Sequence, residues 1–403
     1  MSGTTAGGWR AADARASDWA QSMIAAGAGM AAGPLLIYAL AALYLILGGA
    51  LGPASGAAVL ALALAGAAAT AWSLAPRPAP VLLALGALAL APLAASAVID
   101  TTIDGQAYHY QAISAVAAGW NPYHDLSGVA AHYPDFPVAV WVLHYGKSSW
   151  VLMGAQAAAG LSLEAAKAGG APLLLGAALM GAGVALRAAQ PLWAAGLIGA
   201  ALAANPIALA QLFTRMNDGL LGQSVGLFAV LALIWIVDRR AWAMAGIGLV
   251  MAFAMGLKFS AAPHLVAACA IACAAAWAHG GVALALATGL RLMALGLIAL
   301  LIFGWTPYVQ NAVWWGHPFH PLMGENTLDI LVDNTPEFVE RMGALQAFFF
   351  SLFAETYSGF GGEPALKPPF TMSLAELRAA GGPDVRIGGH GPLFSGAAVL
   401  AAA

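Results

Sequence analysis

Two aspartates four residues apart, Asp100 and Asp104, close an apolar run in the stretch VIDTTIDGQAYHYQAISAVAAGWNPYHD, with Gln106, Tyr108 and His109 directly after them and Asn121 and Tyr123 beyond. A carboxylate in the partly desolvated mouth of a helix has a raised pKa and is suited to taking a proton from an attacking hydroxyl. Asp104 can equally cap the N-terminus of a helix over 105–118, and the two roles can coexist. The turn HYPDFP carries Asp135 between prolines and is followed by Lys147, Glu164 and Lys167. It reads either as a solvated turn or as an edge of the same site.

Cations come later in the chain. In NPIALAQLFTRMNDGLLGQ, Gln211, Arg215, Asn217 and Asp218 cluster within two helical turns. Arg215 either pairs with Asp218 at spacing three or presents its fork to a phosphate. Lys258, alone in GLKFSAAPHL, is either a snorkelling anchor or a second cation for an anionic head group. The stretch GWTPYVQNAVWWGHPFHPLMGEN holds Asn311, Trp314, Trp315, His317 and His320, which read as interfacial aromatics with substrate-lining polar groups. His317 and His320 are a weak metal signature. Cys269 and Cys273 read as small core filler. The motifs GxxxxGK[ST], HExxH and paired CxxC are absent, so the usual signals of ATP-driven transport, metalloproteases and zinc sites are missing.

The elements that must position these residues are membrane helices. Of 403 residues, 61% are hydrophobic and 8% charged, where soluble proteins carry roughly a quarter charged. Apolar runs recur at about the 20 residues that cross a hydrocarbon core. Spans are expected at 28–50, 54–74, 79–98, 168–186, 191–209, 219–237, 241–257, 260–278 and 286–304, with a tenth beginning near Gly388 and cut short at Ala403, so that the chain reads as truncated. The expected organisation is a segment 1–27 that stays cytoplasmic and a single transmembrane domain, 28–403. An inside start puts Arg10, Arg15, Arg77, Arg187, Arg239, Arg240 and Arg291 on the cytoplasmic side with Asp13, Asp18 and Asp238, and sends the other fifteen of eighteen acids outside. Two outer segments, 99–167 and 305–387, are long enough to carry function, and PDFPVAVWVLHYG and ALQAFFFSLFAE within them read as interfacial helices.

In order and sidedness these pieces resemble the GT-C superfamily of membrane glycosyltransferases, in particular the bacterial lipid-dependent branch related to protein mannosyltransferases and the aminoarabinose transferase of lipid A. The resemblance rests on Asp104-Gly105-Gln106-Ala107-Tyr108-His109, on Gly119 to Tyr123, on Tyr133-Pro134, and on Pro307 to Asn311 with His317 to Pro321. It covers roughly 95–325. Many relatives have Glu after the aspartate, where this chain has Gly105. The resemblance implies a polyprenyl-phosphate sugar donor, a lipid, glycan or protein acceptor and a plasma-membrane enzyme acting on the outer face, inverting at the anomeric carbon. Asp104 is then the base with Asp100 its runner-up, Arg215 and Lys258 are phosphate ligands, and a divalent cation such as Mg or Mn is admissible. A secondary transporter or flippase and an envelope-polymer ligase or polymerase are the alternatives. A transporter would be expected to carry charges at mid-membrane on broken helices. No nucleic-acid partner is expected.

Overall fold

The computed structural model describes residues 14–125, 139–203, 205–325, 327, 337–357, 364–379, 387–388, 396 and 399. Contacts divide the chain into two compact units, Met1–His320 and Pro321–Ala403, where the sequence suggested one domain from residue 28 onward.

The first unit is helical. Its long helices are α1 (Ala14–Ile46), α2 (Pro53–Leu74), α3 (Pro78–Ser96), α4 (Tyr110–Ala117), α5 (Ala139–His144), α6 (Ser148–Ala158), α7 (Gly170–Arg187), α8 (Leu192–Ala203), α9 (Asn217–Asp238), α10 (Ala241–Met255) and α11 (Ala261–Ile298). Proline opens both α2 and α3 at the first helical position, where its missing N–H is no loss. Six helical stretches are long and apolar enough to cross a membrane: Ser17–Ile46, Pro53–Leu74, Pro78–Ser96, Leu163–Arg187, Asn217–Asp238 and Ala261–Phe303. Leu192–Leu202 and Ala241–Met255 are shorter apolar helices. The protein is thus an all-α membrane protein.

Small residues set the packing. Helices α1 and α7 cross with Gly27 and Gly176 face to face, so a Cβ on Gly27 would lie 2.6 Å from the Gly176 carbonyl. Helices α2 and α3 leave large apolar side chains such as Leu62, Leu82 and Leu90 exposed, as lipid-facing helices do.

The 43-residue stretch Ala261–Phe303 is two arms. Gly280 and Gly281 leave helical geometry, Gly281 with φ 73°. The chain reverses there, for Cys273 lies beside Gly289 and Trp277 lines one groove with Leu286. Glycine is the residue that accepts a positive φ without strain.

The segment 99–167 is only in part what the sequence suggested. Helix α6 is buried almost along its whole length, packed against α1, α2 and α4. α5 likewise turns Val142 and His144 inward and does not lie flat on the surface. Its aromatic residues supply a core layer.

Loops at the two ends of the bundle hold different charges. At one end Asp18 pairs with Arg77 at 3.1 Å and Asp238 with Arg187 at 2.6 Å. Exposed Trp19, Trp72, Trp193 and Trp277 belong to the same end. At the other end Asn121 donates to the Leu45 and Gly49 carbonyls, Asn217 to Leu257 and Tyr308 to Lys258, while Tyr44, Tyr110, Trp305, Trp314 and Trp315 are exposed. Two aromatic layers bracketing an apolar band are the expected profile of a membrane-embedded bundle.

In the second unit Thr356–Tyr357 pairs antiparallel with Ile387–Gly388. Ala344–Phe353 is an apolar helix with no buried residue, and Leu345, Phe348 and Phe349 are exposed.

Candidate functional site

Asp100 and Asp104 have opposite surroundings. Asp100 is 1% exposed. Its Oδ1 accepts from the Thr102 N–H at 3.0 Å and the Thr102 hydroxyl at 2.8 Å, and its Oδ2 from the Arg215 N–H at 2.8 Å and Arg215 Nη1 at 3.3 Å. A carboxylate has about four lone-pair sites, and all four are taken. The other half of the Arg215 fork donates to Glu164 Oε1 at 2.6 Å, and Glu164 also holds Lys167, whose ammonium reaches the Val98 carbonyl as well. Arg215 is 0% exposed and its guanidinium lies 5.2 Å over the Tyr110 ring. Two acids and two cations, formally neutral in sum, therefore tie the end of α3 to the start of α7 and to the turn before α9.

This corrects three expectations. Arg215 pairs with Asp100 and Glu164, and not with Asp218. Its fork is committed inside the protein, as is the carboxylate of Asp100, so neither faces a substrate. Glu164 and Lys167 belong to this latch and are no outer turn.

Gly105 explains itself here. A Cβ at this position would overlap Thr102 Oγ1 and Asp100 Oδ2, so no side chain has room after Asp104. The cap of the following helix also falls to Thr102, whose hydroxyl accepts from the Gly105 N–H at 3.2 Å. Asp104 makes no side-chain cap hydrogen bond, and the first turn, Gly105–His109, is a π-helix.

Freed from capping, Asp104 lies half-buried where the Tyr108 hydroxyl hydrogen-bonds to it. Burial, then the charges of Asp104 and Asp218, hold the Tyr108 phenol well above its ordinary pKa, so it stays a donor. Asp218, on the first turn of α9, pairs with Lys258 at 2.7 Å, and both are partly exposed, at 37% and 49%. His109 sits within reach of the same charges. Burial first, then Lys258, lower its pKa to about 3, against the opposing pull of Asp218. The Trp150 indole donates to His109 Nδ1 at 2.6 Å. Indole only donates, so Nδ1 is unprotonated and the proton of the neutral ring is on Nε2.

An aromatic sequence leads from Tyr108 to the last part of the unit. Tyr108 contacts Tyr145, Tyr145 contacts Phe259, and Phe259 contacts both Tyr308 and Phe319, with ring centroids 5.7 to 6.2 Å apart. His317 lies against Phe319 and accepts its N–H at 3.2 Å. Asn311 Nδ2 donates to the His144 and His320 carbonyls, so its Oδ1 must face His144 Nδ1 at 3.0 Å, which fixes the proton on that nitrogen. His320 stacks on Trp315, 4.8 Å between centroids. Burial lowers the pKa of both His144 and His320. Lys147, fully buried, donates to the carbonyls of Val142, Leu143 and Tyr145, capping the C-terminus of α5.

The residues expected to line the site thus divide. Tyr108 hydrogen-bonds to Asp104, and the Asp218–Lys258 pair lies close enough to Tyr108 and His109 for its charges to act on them. Asn311, His317 and His320 lie one aromatic layer away. Asn121 and Tyr123 form a tight turn against the end of α1, Asn121 Oδ1 accepting the Tyr123 N–H at 3.0 Å, and they brace the site from behind. Asp135 lies outside the described residues. His144, Tyr145 and Trp150 escaped the sequence reading. The run HYGKSSW that contains them signals only an aromatic patch, and which ring nitrogens meet is decided by the crossing of α5 and α6. Among the described residues no group of three or more His, Cys, Asp or Glu side chains is arranged to hold a metal ion.

Compared with family models, curated proteins and solved structures, the chain matches none.

Proposed function

We propose that the chain is a membrane glycosyltransferase, moving a sugar from a polyprenyl-phosphate donor to an acceptor hydroxyl at the outer face of the plasma membrane. The topology in this reading has nine spans, the inner end being the arginine-rich one. The observation that carries it is that Asp104, Asp218 and Lys258, residues up to 154 positions apart, gather around Tyr108 and His109 at the end of the bundle poor in arginine.

In this reading the Asp104 carboxylate takes the proton of the acceptor hydroxyl as that oxygen attacks the anomeric carbon. The bond from that carbon to the phosphate oxygen breaks with inversion, and Lys258 stabilises the phosphate that leaves. Tyr108 holds Asp104 in place by donating to it, and Asp218 holds Lys258. Neutral His109, clamped by Trp150, offers polarity without charge. Arg215 and Asp100 act as the frame. The donor set here, Asp104 with an Asp218 already engaged by a lysine, is no dedicated cation cage, so no step is routed through a metal.

The test is transfer from radiolabelled polyprenyl-phosphate sugars by the purified protein in lipid. Asp104→Asn should abolish transfer while the protein stays folded, and Lys258→Gln should lower it by about 10²-fold, the scale of one lost charge-stabilising donor. Full activity in Asp104→Asn would overturn the assignment.

A further inference from the structure

One polar group at the Asp104 cluster is still without a partner. The His109 ring is 2% exposed and lies against the Tyr108 ring, 4.3 Å between centroids, and the Trp150 ring, 5.8 Å away. Its Nδ1 lone pair is taken by the Trp150 indole at 2.6 Å. The proton is therefore on Nε2, directed away from the indole. Among the described residues that Nε2–H has no acceptor, and it is not sealed in by the packing as the bare Nδ1 of His320 is. A donor on a buried side chain that makes no internal hydrogen bond is costly unless something else accepts from it.

The surroundings select what that acceptor is. Lys258, Asp218 and Arg215 are the charged groups that act on the ring. Arg215 is spent on Asp100 and Glu164, and the Tyr108 hydroxyl on Asp104. Lys258 is half-exposed but already shares its charge with Asp218 at 2.7 Å. A phosphate brought to Lys258 thus finds one partly neutralised ammonium, and the nearest uncommitted donor is the imidazole. The ring has no second proton to give. Taking one on Nδ1 would set two N–H groups against each other, because indole only donates, and burial with Lys258 holds its pKa at about 3. A neutral imidazole locked in one tautomer is an electrophilic hydrogen-bond donor and not a general acid.

We propose that His109 is a further catalytic residue of this site, its Nε2–H donating to an oxygen of the phosphate that Lys258 meets, and that Trp150 is the positioning residue that keeps the proton there. The role rests on the glycosyltransferase reading. As the bond from the anomeric carbon to the phosphate oxygen breaks, both electrons stay on that oxygen and the acceptor's proton goes to Asp104. His109 keeps its own proton throughout, and its hydrogen bond strengthens as charge gathers on the phosphate.

Two measurements on the full chain in lipid test this. Nitrogen-15 resonances of labelled histidine, assigned by their loss in His109→Gln, should show Nδ1 bare and Nε2 protonated, and polyprenyl phosphate should move Nε2 more than Nδ1. In transfer from radiolabelled polyprenyl-phosphate sugar, His109→Phe should lower kcat by about 10²-fold with a smaller effect on KM; His109→Leu serves if that variant fails to fold. His109→Gln, which keeps an N–H, should retain most of the rate. Trp150→Phe frees Nδ1, so the ratio of its rate to the wild type's should change between about pH 5 and 7. A proton on Nδ1 in the wild type, an undiminished rate in His109→Phe, or a constant ratio in Trp150→Phe would each overturn the proposal. Absence of transfer by the wild type would sink the glycosyltransferase reading instead, and a histidine spectrum unmoved by polyprenyl phosphate would then overturn the role of His109 as well.

Discussion

At the residue scale, what a carboxylate can do depends on how many of its lone pairs are already taken. Asp100 accepts four hydrogen bonds from buried groups, while Asp104 is half-buried and accepts from the Tyr108 hydroxyl. Removing one partner of a buried pair leaves a bare charge, which costs about 3–5 kcal/mol. Asp100→Asn and Arg215→Gln should therefore lower thermal stability sharply, while Asp104→Asn should leave it nearly unchanged; unfolding of the three variants in one detergent distinguishes frame from site. Gly105→Ala should behave like Asp100→Asn, since its methyl group would enter the same ion pair. Histidines give a pH signature. His109, His144 and His320 are held below the ordinary 6.5, His109 at about 3, so the unfolded chain binds more protons below that value. Stability should be full above pH 6.5 and fall as pH drops toward 3, by up to roughly 1.4 kcal/mol per unit for each histidine that stays neutral. His109→Asn should flatten that slope. The sequence showed Asp104 and Lys258 as reactive types, but not that Asp100 would consume Arg215, because a pairing across 115 positions is fixed by the meeting of α3 with the turn before α9.

At the element scale, hydropathy made the helices legible and local geometry was harder to read. Most of the long apolar runs are helices, because length and composition decide that an apolar segment must satisfy its own backbone. The run expected to span at 191–209 instead breaks into Leu192–Ala203 and a short helix Pro206–Ala210 capped by Asn205, and the run beginning near Gly388 lies almost wholly outside the described residues. The expected spans at 260–278 and 286–304 correspond to the arms around Gly280 and Gly281. Helix α6 was missed as a core element: SSWVLMGAQAA is 11 residues long, too short to register as a span, yet most of it is buried. The π-turn at Gly105–His109 was also hidden, since its extra residue answers to the packing of Asp100 against Gly105. Gly281→Ala would place a Cβ at φ 73° and should cost about 1–2 kcal/mol. Chemical unfolding would read this as a lower midpoint, with no such loss expected for Gly196→Ala, inside the helix Leu192–Ala203, where a Cβ meets open space and alanine is the better helix former.

At the scale of the whole molecule, the two ends differ in charge, in aromatic residues and in loop length. With Cys269 and Cys273 replaced by alanine, single cysteines at Gln190 and Thr101 should react with an impermeant maleimide from opposite faces of sealed vesicles. Labelling from the same face would break the topology on which the glycosyltransferase reading stands. The glycine turn in α11 bears on how such a topology is made. Two residues of connection leave no polar loop to carry through the bilayer, so the arms around Gly280 and Gly281 would leave the translocon as one folded hairpin. Arg291 would then cross no hydrophobic barrier alone: its partner arm and the aromatic face of Trp235 would already be in place when it partitions.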